Sequence, residues 1–221
     1  MIPYKRHDLV WLSDAGKDYA LHNIQNCIPP VSDREISSLI LCAVPIPAIV
    51  RRQECAEQKL LCIGFSFPRI IEGVRLRIGS KVPLDCVVKH KTPFDVVKCE
   101  KRLSPVYEIL KALADAGSRH NIQIGCFGSA ALRLVTGLPY WQENSDMDIY
   151  LRHQGNRRDL ELFFARLSEY EEKFGIIIDA EIEYPGQYGV KLKELFGPGN
   201  TVMGKGLYDV TLFDKKYENF C

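Results

Sequence analysis

Neither sign of charge dominates this chain of 221 residues: 29 lysines and arginines stand against 28 aspartates and glutamates, a formal net charge of +1. A non-specific nucleic-acid binder draws its affinity from displacing counterions along phosphates and carries a large positive excess. None is present, so no nucleic-acid partner is expected. Long hydrophobic runs are also missing. The longest, Leu39 to Val50, has twelve residues and is broken by Pro45 and Pro47, short of the roughly 20 that cross a bilayer as a helix. No membrane partner is expected either, and Met1-Ile2-Pro3-Tyr4-Lys5-Arg6-His7-Asp8 lacks the pattern of a secretory signal. The eight cysteines contain no Cys-x-x-Cys pair, which removes the tight ligand pairs of structural zinc. Cys42 and Cys62 sit in apolar strings, where a thiol serves as a small buried hydrophobe. Reduced thiols in a cytoplasmic protein are the expectation. Internal repeats and low-complexity tracts are absent as well.

What the chain does have is enough apolar content, 46%, to build a sizeable core. Its first hundred residues hold short apolar segments punctuated by prolines and charges. Leu9–Trp11, Ala48–Arg51, Leu60–Phe65, Val74–Ile78 and Cys86–Lys89 are expected as strands, with a sustained helical period only from Asp33 to Cys42. A charged stretch, Lys98-Cys99-Glu100-Lys101-Arg102, then leads into Ser104-Pro105. Serine can satisfy a free amide at a helix start and proline pre-sets the first helical residue. A helix is therefore expected from there to Gly117, and a domain boundary near residue 102.

The second half alternates strands and helices. Ile122–Phe127 reads as a buried strand, Gly128-Ser129 opens a helix to Gly137, and Ser145–Leu151 reads as a strand. Asn156 caps a helix that Gly175 ends, and Ile176–Tyr184 follows as a strand with Asp179, Glu181 and Glu183 on one face. The expected class is α+β in two domains. Residues 1–102 form a small β-rich domain that binds substrate or carrier, and residues 103–221 form a catalytic α/β domain with a mixed sheet.

The chemistry concentrates in Gly128-Ser129, then sixteen residues, then Asp146-Met147-Asp148, then Asp179 on a later strand. Two aspartates one residue apart on a strand point to one side, roughly 7 Å apart. They cannot neutralise each other, but they can bracket hard divalent cations such as Mg²⁺, which take oxygen ligands. Asp179 would complete the site, with Glu181 on the same face as the alternate third carboxylate. Glycine and serine at a helix N-terminus add free amides and the positive end of the helix dipole, both suited to phosphate.

Ile124-Gly125-Cys126-Phe127-Gly128-Ser129 with Ser145-Asp146-Met147-Asp148-Ile149 resembles the signature of the polymerase-β-like nucleotidyltransferase superfamily. The longer spacing resembles one family in particular, the malonate decarboxylase holo-acyl-carrier-protein synthases, or phosphoribosyl-dephospho-CoA transferases. Arg6-His7-Asp8-Leu9-Val10-Trp11-Leu12, Ala48-Ile49-Val50-Arg51-Arg52, Ile63-Gly64 and Thr136-Gly137-Leu138-Pro139 extend the likeness over most of the chain. The resemblance implies transfer of a phosphoribosyl-dephospho-CoA group from 2′-(5-triphosphoribosyl)-3′-dephospho-CoA to a serine of the malonate decarboxylase acyl carrier protein, with release of pyrophosphate. It implies two Mg²⁺ on Asp146 and Asp148, and Asp179 as a metal ligand or proton acceptor. Gly128 and Ser129 would hold phosphates, and Lys205, on an expected hairpin tip, could reach the triphosphate. Two competing readings are a nucleotidyltransferase with another acceptor, small molecule or protein, and a non-catalytic assembly factor that binds the carrier. Residues 51–119 carry fourteen basic and eight acidic side chains, a local excess suited to steering an acidic carrier.

Overall fold

Serines open three of the helices in this computed structural model, which describes residues 3–42, 44–54, 59–98, 104–142 and 144–215. The chain divides into two units. The first runs to Thr92 and takes in Leu138–Tyr140; the second takes Pro93–Gly137 and the chain from Trp141 on.

In the first unit, strand β1 (Leu9–Leu12) is followed by helix α1 (Asp14–His22), whose cap Ser13 accepts from Gly16 N. Strand β2 (Ile24–Ile28) and helix α2 (Asp33–Ile40) come next, the latter capped by Ser32. Strands β3 (Ala48–Val50), β4 (Leu60–Ile71), β5 (Val74–Pro83) and β6 (Val87–Lys91) complete a six-stranded sheet in the order β2-β5-β4-β3-β1-β6. Every pairing in it is antiparallel. Its core is Leu9, Val10, Leu61, Ile63, Phe67, Leu76 and Ile78, all essentially inaccessible. Gly64 and Gly79 face each other across β4 and β5, and the Arg51 side chain lies flat over both, in space that a Cβ on either would take. Tyr140 belongs to this unit as a packing residue: it is fully buried, and its hydroxyl donates to Ser66 O at 2.7 Å. Arg75 in turn donates to Tyr140 O at 2.8 Å and stacks over the ring.

The second unit begins with the short helix α3 (Pro93–Val96) and helix α4 (Pro105–Ser118). Ser104 caps α4 as expected, accepting from Tyr107 N, with Pro105 in the first turn. Then come strand β7 (Ile122–Cys126), helix α5 (Gly128–Thr136), strand β8 (Met147–His153) and helix α6 (Arg157–Phe174). Asn156 caps α6, and left-handed Gly137 and Gly175 end α5 and α6, a conformation that glycine adopts without steric cost. Strands β9 (Ile178–Tyr184) and β10 (Tyr188–Lys191), helix α7 (Leu192–Phe196) and strands β11 (Thr201–Lys205) and β12 (Val210–Asp214) follow. The sheet order is β12-β11-β10-β9-β8-β7, antiparallel except for the parallel β8–β9 pair. A β-rich first unit and a mixed sheet with helices in the second make an α+β protein.

The expected boundary near residue 102 lies in 99–103, outside the described residues. The observed division falls earlier, at Thr92/Pro93, because α3 packs into the second unit. A Cβ on Gly125 would stand 2.9 Å from Pro93 Cβ. The Phe94 ring meets Tyr150 edge-on at 5.9 Å and lies 4.2 Å beneath the Arg152 guanidinium. Among the described residues no helix is long and apolar enough to cross a membrane.

Candidate active site

The parallel β8–β9 pair places the acidic residues. Its register sets Asp148 beside Asp179 and Tyr150 beside Glu181, while Met147, Ile149, Ile178, Ala180 and Ile182 are buried on the other face. Apolar alternation thus fixes which way the carboxylates point. Asp146 lies one residue before β8, which starts at Met147 rather than at the expected Ser145. It is exposed, whereas Asp148 is half-buried and Glu181 only 4% exposed.

Helix α5 brings its N-terminus to Asp148. Phe127 N donates to Asp148 O at 3.1 Å, which ties the helix start to the strand. Phe127 caps the helix with extended backbone and no side-chain hydrogen bond, so the first-turn amides receive no capping oxygen from it. Gly128 has φ +66°, a left-handed conformation that costs a side-chain-bearing residue free energy. A Cβ there would also collide with Asp148 Oδ2. Glycine is therefore required twice over at this position. Ser129 follows, half-buried.

The carboxylates repel one another. Burial first, then Asp179, Asp146 and Glu181, push the Asp148 carboxyl up to about 7, an effect that Lys191 partly offsets. Lys191 Nζ donates to Asp179 Oδ2 at 2.7 Å, and this bond, ahead of the charges nearby, raises the lysine above its ordinary value. Lys191 stands directly opposite Glu181 in the β9–β10 register and diagonal to Asp179, a reach open to a long side chain. Sequence reasoning missed this residue. The turn Pro185–Gln187, with Gly186 and Gln187 both at positive φ, was the available signal: read as a hairpin, it returns Lys191 to Glu181.

The structure thus brings together Gly128, Ser129, Asp146, Asp148 and Asp179, with Glu181 and Lys191. It does not bring Lys205 to them. Lys205 pairs with Gly189, which pairs with Glu183, so it sits two strands and four residues away, roughly 16 Å from Asp179 by strand spacing. Arg133 closes its own helix by donating to Gly137 O at 2.5 Å. His7 and Asp8 form a local turn in which Asp8 Oδ2 accepts from Lys5 N at 3.0 Å.

Among the described residues no three carboxylate, imidazole or thiol groups converge closely enough to hold a metal ion together. A divalent cation nevertheless fits the donor chemistry of Asp146 and Asp148. Their oxygens are hard ligands, and the neighbouring negative charge, which adds to burial in raising Asp148, is what a dication would neutralise.

Residues 5–93 match the family model described as the phosphoribosyl-dephospho-CoA transferase MdcG N-terminal domain, and residues 96–216 match its C-terminal domain. A phosphoribosyl-dephospho-CoA transferase of Bradyrhizobium diazoefficiens is 24% identical over 220 residues, covering 96% of this chain and 91% of its own. One of Xanthomonas euvesicatoria is 24% identical over 211 residues, covering 95% and 94%. No solved structure matches the chain.

Proposed function

Because the chain belongs to the phosphoribosyl-dephospho-CoA transferase family, we propose that it takes its group from 2′-(5-triphosphoribosyl)-3′-dephospho-CoA and places it on a serine of the malonate decarboxylase acyl carrier protein. The observation that carries this reading is the Asp148–Asp179 pair in register beside the N-terminus of α5. That arrangement puts anionic ligands and phosphate-seeking amides on adjoining elements.

The carrier serine Oγ attacks the α-phosphorus, forming a new P–O bond. The bond from that phosphorus to the bridging oxygen of the β-phosphate breaks, and pyrophosphate leaves with the bridging oxygen. The first-turn amides of α5, at Gly128 and Ser129, hold the departing phosphates, where the helix dipole offsets their charge. Asp146 and Asp148 would hold Mg²⁺, whose part is to neutralise charge on the reacting phosphates. Asp179 takes the hydroxyl proton on Oδ1, since Lys191 holds Oδ2. Most of the rate enhancement then comes from positioning and charge neutralisation, as in phosphoryl transfer generally.

Mass spectrometry of apo carrier protein incubated with the enzyme, Mg²⁺ and the triphosphoribosyl donor tests the reading. The expected result is a mass gain of one phosphoribosyl-dephospho-CoA group, with one pyrophosphate released per carrier. An unmodified carrier under conditions where the donor is consumed would rule out this acceptor.

A further inference from the structure

A two-metal arrangement needs a third carboxylate free to take the second ion. Here one oxygen of the third carboxylate is already taken, Lys191 Nζ lying 2.7 Å from Asp179 Oδ2, and the other, Oδ1, is the one that accepts the hydroxyl proton in the proposed reaction. Magnesium binds oxygen at about 2.0–2.1 Å, so an ion on Oδ2 would have to displace the ammonium. The lysine is held in place from more than one side. Glu181, buried on β9, stands directly opposite it, and Glu194 on α7 adds its field. The ammonium thus sits on the acidic face where a second cation would be expected.

We propose that Lys191 is the second cation of the site. It holds Asp179 in place as the proton acceptor and supplies positive charge that a second divalent ion would otherwise bring, so the chain uses a single divalent ion on Asp146 and Asp148. The inference rests on the proposed function for where that one ion binds. Lys191 is a positioning residue in this scheme, because it acts through Asp179.

Titration with Mn²⁺, following the electron paramagnetic resonance signal of the free ion, reads the stoichiometry without turnover. The wild-type chain is expected to bind one Mn²⁺, and Asp179→Asn still one. Lys191→Met, which releases Asp179, is expected to bind two, and Lys191→Arg, which keeps the charge, to return to one. Two Mn²⁺ on the wild type, falling to one in Asp179→Asn, would overturn the role of Lys191 and leave the metal reading intact. A folded Lys191→Met that still binds one would overturn it too. No Mn²⁺ on the wild type would remove the metal reading and this inference with it. Should Lys191→Met fail to fold, the counts for the wild type and Asp179→Asn decide the matter.

Discussion

Replacing Asp148 with asparagine keeps the shape of the side chain against Gly128 and removes the charge of a carboxylate set against burial and three neighbouring carboxylates. In the unfolded chain this carboxyl titrates near its ordinary 3.8, and in the fold near 7. Below the lower value it is neutral in both states and contributes nothing. Between the two, the native state holds a proton that the unfolded state has released, so stability falls as pH rises. Above about 7 the full cost is present. At about 1.4 kcal/mol per tenfold, the cost is on the order of 4 kcal/mol, and solvent reaching this half-buried group reduces it to roughly 2–4 kcal/mol. For a chain of this size, 1 kcal/mol moves the melting temperature by about 2–4 °C. Metal-free Asp148→Asn should therefore melt roughly 4–16 °C above wild type at pH 8 and at the same temperature near pH 3.5. Millimolar Mg²⁺ should raise the wild-type transition at pH 8, because a ligand of the native state stabilises it, and leave the variant almost unmoved. Thermal melts followed by circular dichroism across that pH range, in chelator and in Mg²⁺, measure all four quantities. A variant that melts below wild type at pH 8 in chelator would refute the argument, since burial and the crowding of like charges would then not be what governs this carboxyl.

Asp146→Ala and Asp148→Ala should each slow transfer about a thousandfold or more while leaving a folded chain, the scale expected for transition-state electrostatics; near-normal rates would remove both from the site. Gly128→Ala should cost about 1–2 kcal/mol from its left-handed backbone and most of the activity besides, because the new methyl displaces Asp148; wild-type turnover would disprove the close approach. Asp179→Asn should lower the rate far more than Glu181→Gln in matched assays, and the reverse order would transfer the proton acceptor to Glu181. Arg52 and Arg77 are exposed, and reversing both charges should raise the Michaelis constant for the carrier and flatten its salt dependence, with that for the small-molecule donor unchanged. Equal losses for both substrates would discard carrier steering by these arginines.

The elements legible in the sequence were those whose local pattern and tertiary role agree. Capping serine and proline marked α4, and Asn156 with Gly175 marked both ends of α6, since these residues act on the backbone next to them. Strands β4 and β5 run further than expected, to Ile71 and Pro83. Ser66-Phe67-Pro68 and Gly79-Ser80 look like turns locally, yet cross-strand pairing holds Ser66, Gly79 and Ser80 in the sheet and resumes at Ile70 after an irregularity that takes in Phe67 and Pro68. Helix α1 offered little to read, because only Gly16 and Ala20 are buried in it; it is packed by its smallest residue, with Gly16 so close to Cys86 that a Cβ would stand 2.8 Å from the cysteine Cβ. Strand β2 shows mostly polar, exposed positions between its isoleucines and takes its place from pairing with β5.

The site followed the same division. The shared face of Asp148 and Asp179 could be read because strand alternation, a local property, assigns it. Lys191 could not, because its place beside Asp179 depends on how far the Pro185–Gln187 turn carries the chain before β10 pairs. The structure also changes what the sequence signals mean. Gly-Ser and Asp-x-Asp look like two motifs sixteen residues apart, one for phosphate and one for metal. In the fold they are a single contact, with the Asp148 carboxylate resting on the Cα of Gly128 and the Asp148 carbonyl accepting from Phe127 N. The glycine that lets α5 begin is the same glycine that makes room for the carboxylate, so loss of either residue should disturb the phosphate end and the metal end together. A double substitution, Gly128→Ala with Asp148→Ala, should accordingly cost less activity than the product of the two single losses, because each change alone already breaks the one contact they share.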